Sequence, residues 1–194
     1  MKFFHPHYIN CLGKAFSMRF WTIVNRISAK FWRVSLGKNA KFQGHMIFRT
    51  LPGASITIGE SCVFLSNHSS NLIGIYSPCA ISTISRDAII KIGNNCGFSG
   101  TVVASAMKIE IGDNVRCGAN TLITDTDWHS DDPRVSEDAP VIIDDGVWLG
   151  YGVKVLKGVH IGANSVIGAE SVVTRNIPAN VVAAGNPCKI IREL

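Results

Sequence analysis

Residues 124–133 read TDTDWHSDDP, and His129 is the side chain among them best suited to move a proton. A neutral imidazole titrates near pH 6.5, so at neutral pH it can take a proton from a hydroxyl and return it later, the work of a general base. A solvated surface imidazole is the competing reading of the same residue. Asp125 and Asp127 are acceptors of the kind that hold the second ring nitrogen of such a base, or else plain loop acids in water. Trp128 offers an indole face on which a sugar ring can rest, or an anchor for the segment that carries it.

What positions this histidine is a repeat and its interruption. From Ile111 the chain can be written in sixes: IGDNVR, CGANTL, ITDTDW, a break, then IDDGVW, LGYGVK, VLKGVH, IGANSV, IGAESV and VTRNIP. The first position is aliphatic in nearly every unit, the second is often Gly, and the fifth is small or β-branched. IGNNCG from Ile92 and ITIGESCV over residues 56–63 are earlier copies, whereas residues 64–91 repeat less cleanly. A period of six fits neither an amphipathic helix nor a long alternating strand. It fits a coil of three short sides and 18 residues per turn. First and fifth positions then face inward, and Gly marks the second because a tight corner tolerates it best. Stacked turns bury together what no single turn can bury alone. The expected fold is all-β, a parallel β-helix of hexapeptide repeats. Ile111 and Ile143 lie 32 residues apart, one turn of 18 plus 14 more. The coil interior is filled, so the surplus must leave as a loop over about 124–142. Asp125, Asp127, Asp131, Asp132, Arg134, Glu137 and Asp138 keep that loop in water, and Pro133 and Pro140 restrict it.

Ahead of the repeats the balance changes. Residues 1–59 hold nine Lys or Arg and no acid, while the rest of the chain carries a net −4, so the overall +5 hides two regions. Phe16, Phe20, Ile23, Val24, Ile27 and Phe31 recur at helical spacing among Arg19, Arg26, Lys30 and Arg33. Such a helix is expected to pack its stripe on the main domain or a neighbouring subunit; the alternative is peripheral contact with an anionic membrane. The organisation read from this is a basic helical segment over 1–45, the β-helix with its loop over 46–186, and a basic tail over 187–194. At 194 residues, 46% hydrophobic and 17% charged, the chain has enough material for a core. No leader is recognisable, and no apolar run reaches the length of a membrane span. The six cysteines show no CxxC pair, so reduced thiols and a cytoplasmic setting are expected. One loop histidine and no HxxxxH pair argue against a metal centre, and no recognition motif accompanies the basic residues that would point to nucleic acid.

The sixes resemble the hexapeptide-repeat acyltransferases, whose β-helix is left-handed. IPANVVAAGNPCKIIREL is similar to the closing segment of their galactoside and maltose acetyltransferase branch, and TDTDWH with IIDDGVWLG resembles capsule and exopolysaccharide O-acetyltransferases. The resemblance implies acetyl-coenzyme A as cosubstrate, no metal, and a homotrimer with its site between neighbouring prisms. It makes His129 the base for direct transfer to a saccharide or lipid-linked glycan hydroxyl. It implies donor contacts at Tyr151, Ala169, Thr174, Arg175, Lys189 and Arg192, with Tyr151 standing where the family has a small polar residue. On the acceptor side GFSGTVVASA places Phe98, Ser99 and Ala106 where the branch has its sugar-contacting residues, leaving Ser99, Asp127 and Trp128 as candidates. N-acetylation of an amino sugar, or a noncatalytic scaffold on the same prism, are the alternatives.

Overall fold

The computed structural model describes residues 6–129 and 131–194. Its repeats form a left-handed parallel β-helix with three flat faces, of six, eight and six strands. Face one stacks Ser35–Leu36, Ser55–Ile58, Ile89–Ile92, Lys108–Ile111, Val141–Ile143 and His160–Ile161. Face two runs from Lys41–Gln43 through Val181–Ala184 to Lys189–Glu193, and face three from Ile47–Arg49 to Val172–Val173. Ile58, Ile92, Ile111, Ile143 and Ile161 stand one above another in register. The fifth-position residues Cys62, Cys96, Val115, Val147, Val153 and Val159 are buried with them, as the repeat requires. Phe42, Phe64 and Phe98 stack through the interior at centroid spacings of 5.1 and 4.9 Å.

The second-position glycines have a different cause from the one inferred above. A Cβ at Gly118 would lie 2.6 Å from the carbonyl carbon of Gly150, and one at Gly150 would lie 2.7 Å from the nitrogen of Ala169. Successive coils touch there, so what matters is the missing side chain and not backbone freedom. The strained corner is the fourth position, where Asn95, Asn114, Asn120 and Asn164 all have φ between 56° and 62°. Asparagine tolerates that left-handed region better than most residues.

Two segments leave the prism. Ile58 pairs with Ile92, 34 residues on, because residues 66–79 bulge out between faces two and three. This is why the repeat faded over 64–91. Ile111 pairs with Ile143 across the insertion of residues 125–140, between faces three and one.

The helix Pro6–Phe31 covers the first coil, which has no earlier coil to bond to. Thr22 Oγ1 accepts from the Phe42 N–H at 3.1 Å. Asn25, fully buried, accepts from the Met46 N–H at 3.0 Å and donates to the Gly44 carbonyl at 2.9 Å. Coiling begins at Ser35, ahead of the boundary at 46. Phe16, Phe20, Ile23, Ile27 and Phe31 do not pack on the prism as expected but face solvent, because Trp21, Asn25, Ala29 and Trp32 supply the packing face. The terminal segment is more than a tail: Lys189–Glu193 pairs antiparallel with Val181–Ala184 and closes face two. Residues 1–5 of the basic segment read over 1–45 lie outside the described residues. Among the described residues no helix is long and apolar enough to cross a membrane.

Candidate active site

The loop bearing His129 is rooted by a buried carboxylate. Asp125 is fully buried. Its Oδ2 accepts from Ser105 Oγ at 2.6 Å, from the Met107 N–H at 3.0 Å and from the Lys108 N–H at 2.7 Å, while Oδ1 accepts from the Ala106 N–H at 2.7 Å. Those donors belong to the turn one coil earlier. A carboxylate with its lone pairs satisfied by fixed donors is the affordable way to bury that charge. Asp125 is therefore neither a solvated acid nor available to orient His129, as its place near the histidine had indicated.

A lysine from the next coil staples the other strands of the loop. Lys157 Nζ lies 2.6 Å from Asp127 Oδ2 and donates to the Ser136 carbonyl at 2.6 Å, so it grips the outgoing and returning segments together. The Ala139 N–H donates to the Asp125 carbonyl, and the Gly158 N–H to that of Ala139, which seals the base. Asp127 is thus occupied by an ion pair. At the tip the Asp132 N–H donates to the His129 carbonyl, and Asp132 takes Arg134 in a bidentate pair. The guanidinium and the Arg134 N–H hold the Asp132 carboxyl below its ordinary value. His129 stays exposed on this braced turn.

Trp128, at φ 70° and 55% exposed, leans over face three of the earlier coils. There a cleft of about 490 Å³ is lined by Trp128, Trp32, His45, Arg49, Ser82 and their neighbours. Trp32, His45 and Arg49 were not singled out by the repeat, since they precede its regular part. Arg49 is nonetheless legible as the outward residue of an alternating strand whose middle member, Phe48, is buried.

The residues expected to meet the donor lie elsewhere. Tyr151 and Ala169 occupy the corner between faces two and three, one coil apart, and the Glu170 N–H donates to the Tyr151 carbonyl. The second extruded segment reaches the same corner. Its Tyr76 hydroxyl lies 2.5 Å from that of Tyr151, a bond that raises the Tyr76 pKa. Asn120 fixes this segment by accepting from the Tyr76 N–H and donating to the Gly74 carbonyl. Ser99 sits beneath it, mostly buried, accepting from Asn71 Nδ2 at 3.3 Å. Thr174 and Arg175 are exposed after the last strand of face three, and Lys189 and Arg192 are exposed on the closing strand of face two. Within one chain, face three separates the His129 loop from the Tyr151 corner. His160 Nε2 is 2.9 Å from Asp144 Oδ2 on face one, outside this constellation.

The family description "Bacterial transferase hexapeptide (six repeats)" matches residues 140–175. The chain is 47% identical over 142 residues to the galactoside O-acetyltransferase of Lactococcus lactis subsp. lactis (strain IL1403), covering 71% of this chain and 62% of that one. It is 43% identical over 111 residues to the galactoside O-acetyltransferase of Escherichia coli (strain K12), covering 54% of each. A solved galactoside acetyltransferase in complex with coenzyme A superposes with a TM-score of 0.52 at 29% identity, over 82% of this chain and 64% of that one. The chain thus spans less than two thirds of the length of each of these relatives.

Proposed function

The chain belongs to the hexapeptide-repeat acyltransferase family, and from that premise we propose that it is an acetyl-coenzyme A-dependent O-acetyltransferase acting on a saccharide or surface-polysaccharide precursor. The observation that carries the reading is His129 on an extruded loop whose root is locked by the buried Asp125. The imidazole takes the proton of an acceptor hydroxyl as its oxygen attacks the thioester carbonyl. The tetrahedral intermediate collapses, the C–S bond breaks, and the proton passes to the departing thiolate. The products are an O-acetyl ester and free coenzyme A. No covalent acyl-enzyme is required. Base catalysis of this kind contributes about 10²–10⁴ in rate, and the remainder comes from holding both substrates in line.

The acceptor rests, on this reading, in the cleft under Trp128, with the indoles of Trp128 and Trp32 against sugar faces and Arg49 directed to an oxygen-rich group. The donor runs along the corner of Tyr151 and Ala169, with Thr174, Arg175, Lys189 and Arg192 toward its phosphates. Face three lies between these two sets, which supports a site completed by a neighbouring copy in a homotrimer. Exposed Leu72, Ile73 and Trp148 are apolar surface available for such a contact. Buried reduced thiols at Cys62, Cys79, Cys96, Cys117 and Cys188 support work in the cytoplasm.

The test is thiol release from acetyl-coenzyme A across sugars, sugar nucleotides and lipid-linked glycans. His129→Ala should bind coenzyme A normally and lose about 10²–10⁴ in turnover. A variant that keeps most of the wild-type turnover removes His129 from the mechanism.

A further inference from the structure

The N-terminal helix turns an apolar ridge away from the protein. Phe16, Phe20, Ile23, Ile27 and Phe31 are between 52% and 79% exposed. At 100° per residue they fall within an arc of about 80°, opposite the arc of Asn25, Ala29 and Trp32 that packs on the first coil. Arg19, Arg26 and Lys30 line one edge of the ridge and are exposed too. Arg26 donates to the Gly37 carbonyl at 3.4 Å, and no acid stands anywhere in residues 1–59. Monomeric surfaces rarely leave a contiguous apolar patch of this kind without a partner.

We propose that this ridge docks the protein on an anionic lipid surface, the helix lying in the plane of the interface. Large apolar side chains beside a row of cations are what such a surface binds, the rings and aliphatic groups entering the acyl boundary while the cations meet phosphate headgroups. A second copy of the ridge is the poorer partner. Two such helices packed antiparallel bring Arg19, Arg26 and Lys30 against their own counterparts, and packed parallel they set those cations beside Ser17, Val24 and Ser28 of the opposite edge, with no carboxylate in the segment to pair them in either arrangement. The helix lies on the bilayer and does not span it, since it is not apolar enough to cross. Because the helix is fixed to the first coil by Thr22 and Asn25, docking also orients the prism with that end toward the lipid.

The full chain is tested by sedimentation with vesicles of phosphatidylcholine, with and without phosphatidylglycerol, beside light scattering. Wild type should bind only the anionic vesicles and be released by salt. Phe20→Glu with Ile27→Glu should abolish binding, and Arg19→Gln with Lys30→Gln should weaken it by about fivefold per cation removed. None of these solvent-facing changes should alter coenzyme A binding or thermal unfolding. Absence of binding to anionic vesicles at low salt overturns the proposal. So does a Phe20→Glu, Ile27→Glu variant that binds vesicles like wild type, or one that only changes oligomeric mass, which would give the ridge to a second copy. Neither result touches the role of His129, which is read from turnover.

Discussion

Asp125→Asn keeps the size and shape of the root of the His129 loop and removes its charge. The carboxylate serves four donors: three on Oδ2 and one on Oδ1. An asparagine has one acceptor oxygen. With that oxygen placed for Ser105, Met107 and Lys108, its NH₂ confronts the Ala106 N–H, donor against donor. An orphaned buried N–H costs about 1–3 kcal/mol, and each remaining bond loses about 1 kcal/mol with its charge assistance. Against this, the neutral amide escapes part of the carboxylate's desolvation penalty. The balance is a destabilisation of roughly 2–4 kcal/mol, or about 5–15 °C in Tm for a chain of this length. Amide hydrogen exchange gives the local measure: Ala106, Met107 and Lys108 should exchange faster in Asp125→Asn, while amides in the Val166–Ile167 strand should keep their rates. Turnover should fall about 10²-fold, since a loop shifted by about 1 Å misplaces its base. If Tm moves by no more than about 1 °C and those three amides keep their protection, the carboxylate does not hold the loop and the account of how His129 is positioned is wrong.

Gly162→Ala should lower stability by about 1–3 kcal/mol, because its Cβ would lie 2.4 Å from the Ala179 nitrogen; Gly13→Ala, with nothing within 4 Å, should be neutral or stabilising by thermal unfolding. Glu110 is held below its ordinary pKa first by its hydrogen bond to Lys108 and further by Lys91. A depressed folded-state carboxyl contributes stability above its unfolded pKa and loses it as pH falls through the folded value, so Glu110→Gln should flatten the acid limb of the stability curve below about pH 4.5; an unchanged limb refutes the contribution. Mixing His129→Ala chains with chains carrying Lys189→Glu and Arg192→Glu, then reassembling them, should recover about a quarter of wild-type turnover if each site draws on two copies. No recovery in mixed trimers means that the site lies within one chain.

The repeat was legible because a parallel stack imposes the same demand on every turn. Residues at 58, 92, 111, 143 and 161 must all face inward in register, so each is Ile and the spacing can be counted. The insertion after Thr124 could be located by the same counting. The one after Leu65 escaped it, since Cys79 and Ile81 supply inward residues without the Gly-rich signature that marks a regular corner. The second-position glycines were visible, yet their cause was not: close approach of the next coil is a contact between residues 16 to 34 positions apart, and a single strip of sequence shows only that something small is wanted there.

The same distinction separates what could be read at the site from what could not. His129 is conspicuous in the sequence because it interrupts a pattern. Its supports were hidden because each is a relation between coils: Asp125 answers residues 105–108 of the turn before, and Lys157 answers Asp127 and Ser136 from the turn after. In sequence, two acids beside a histidine look like partners for its ring. In the fold one is buried and the other is paired with lysine, because an excursion from a rigid stack must first be tied to the turns above and below before its tip can hold a side chain in place. The acids nearest in sequence therefore serve the loop first: both oxygens of Asp125 are spent on the turn before, and one oxygen of Asp127 is spent on Lys157 from the turn after.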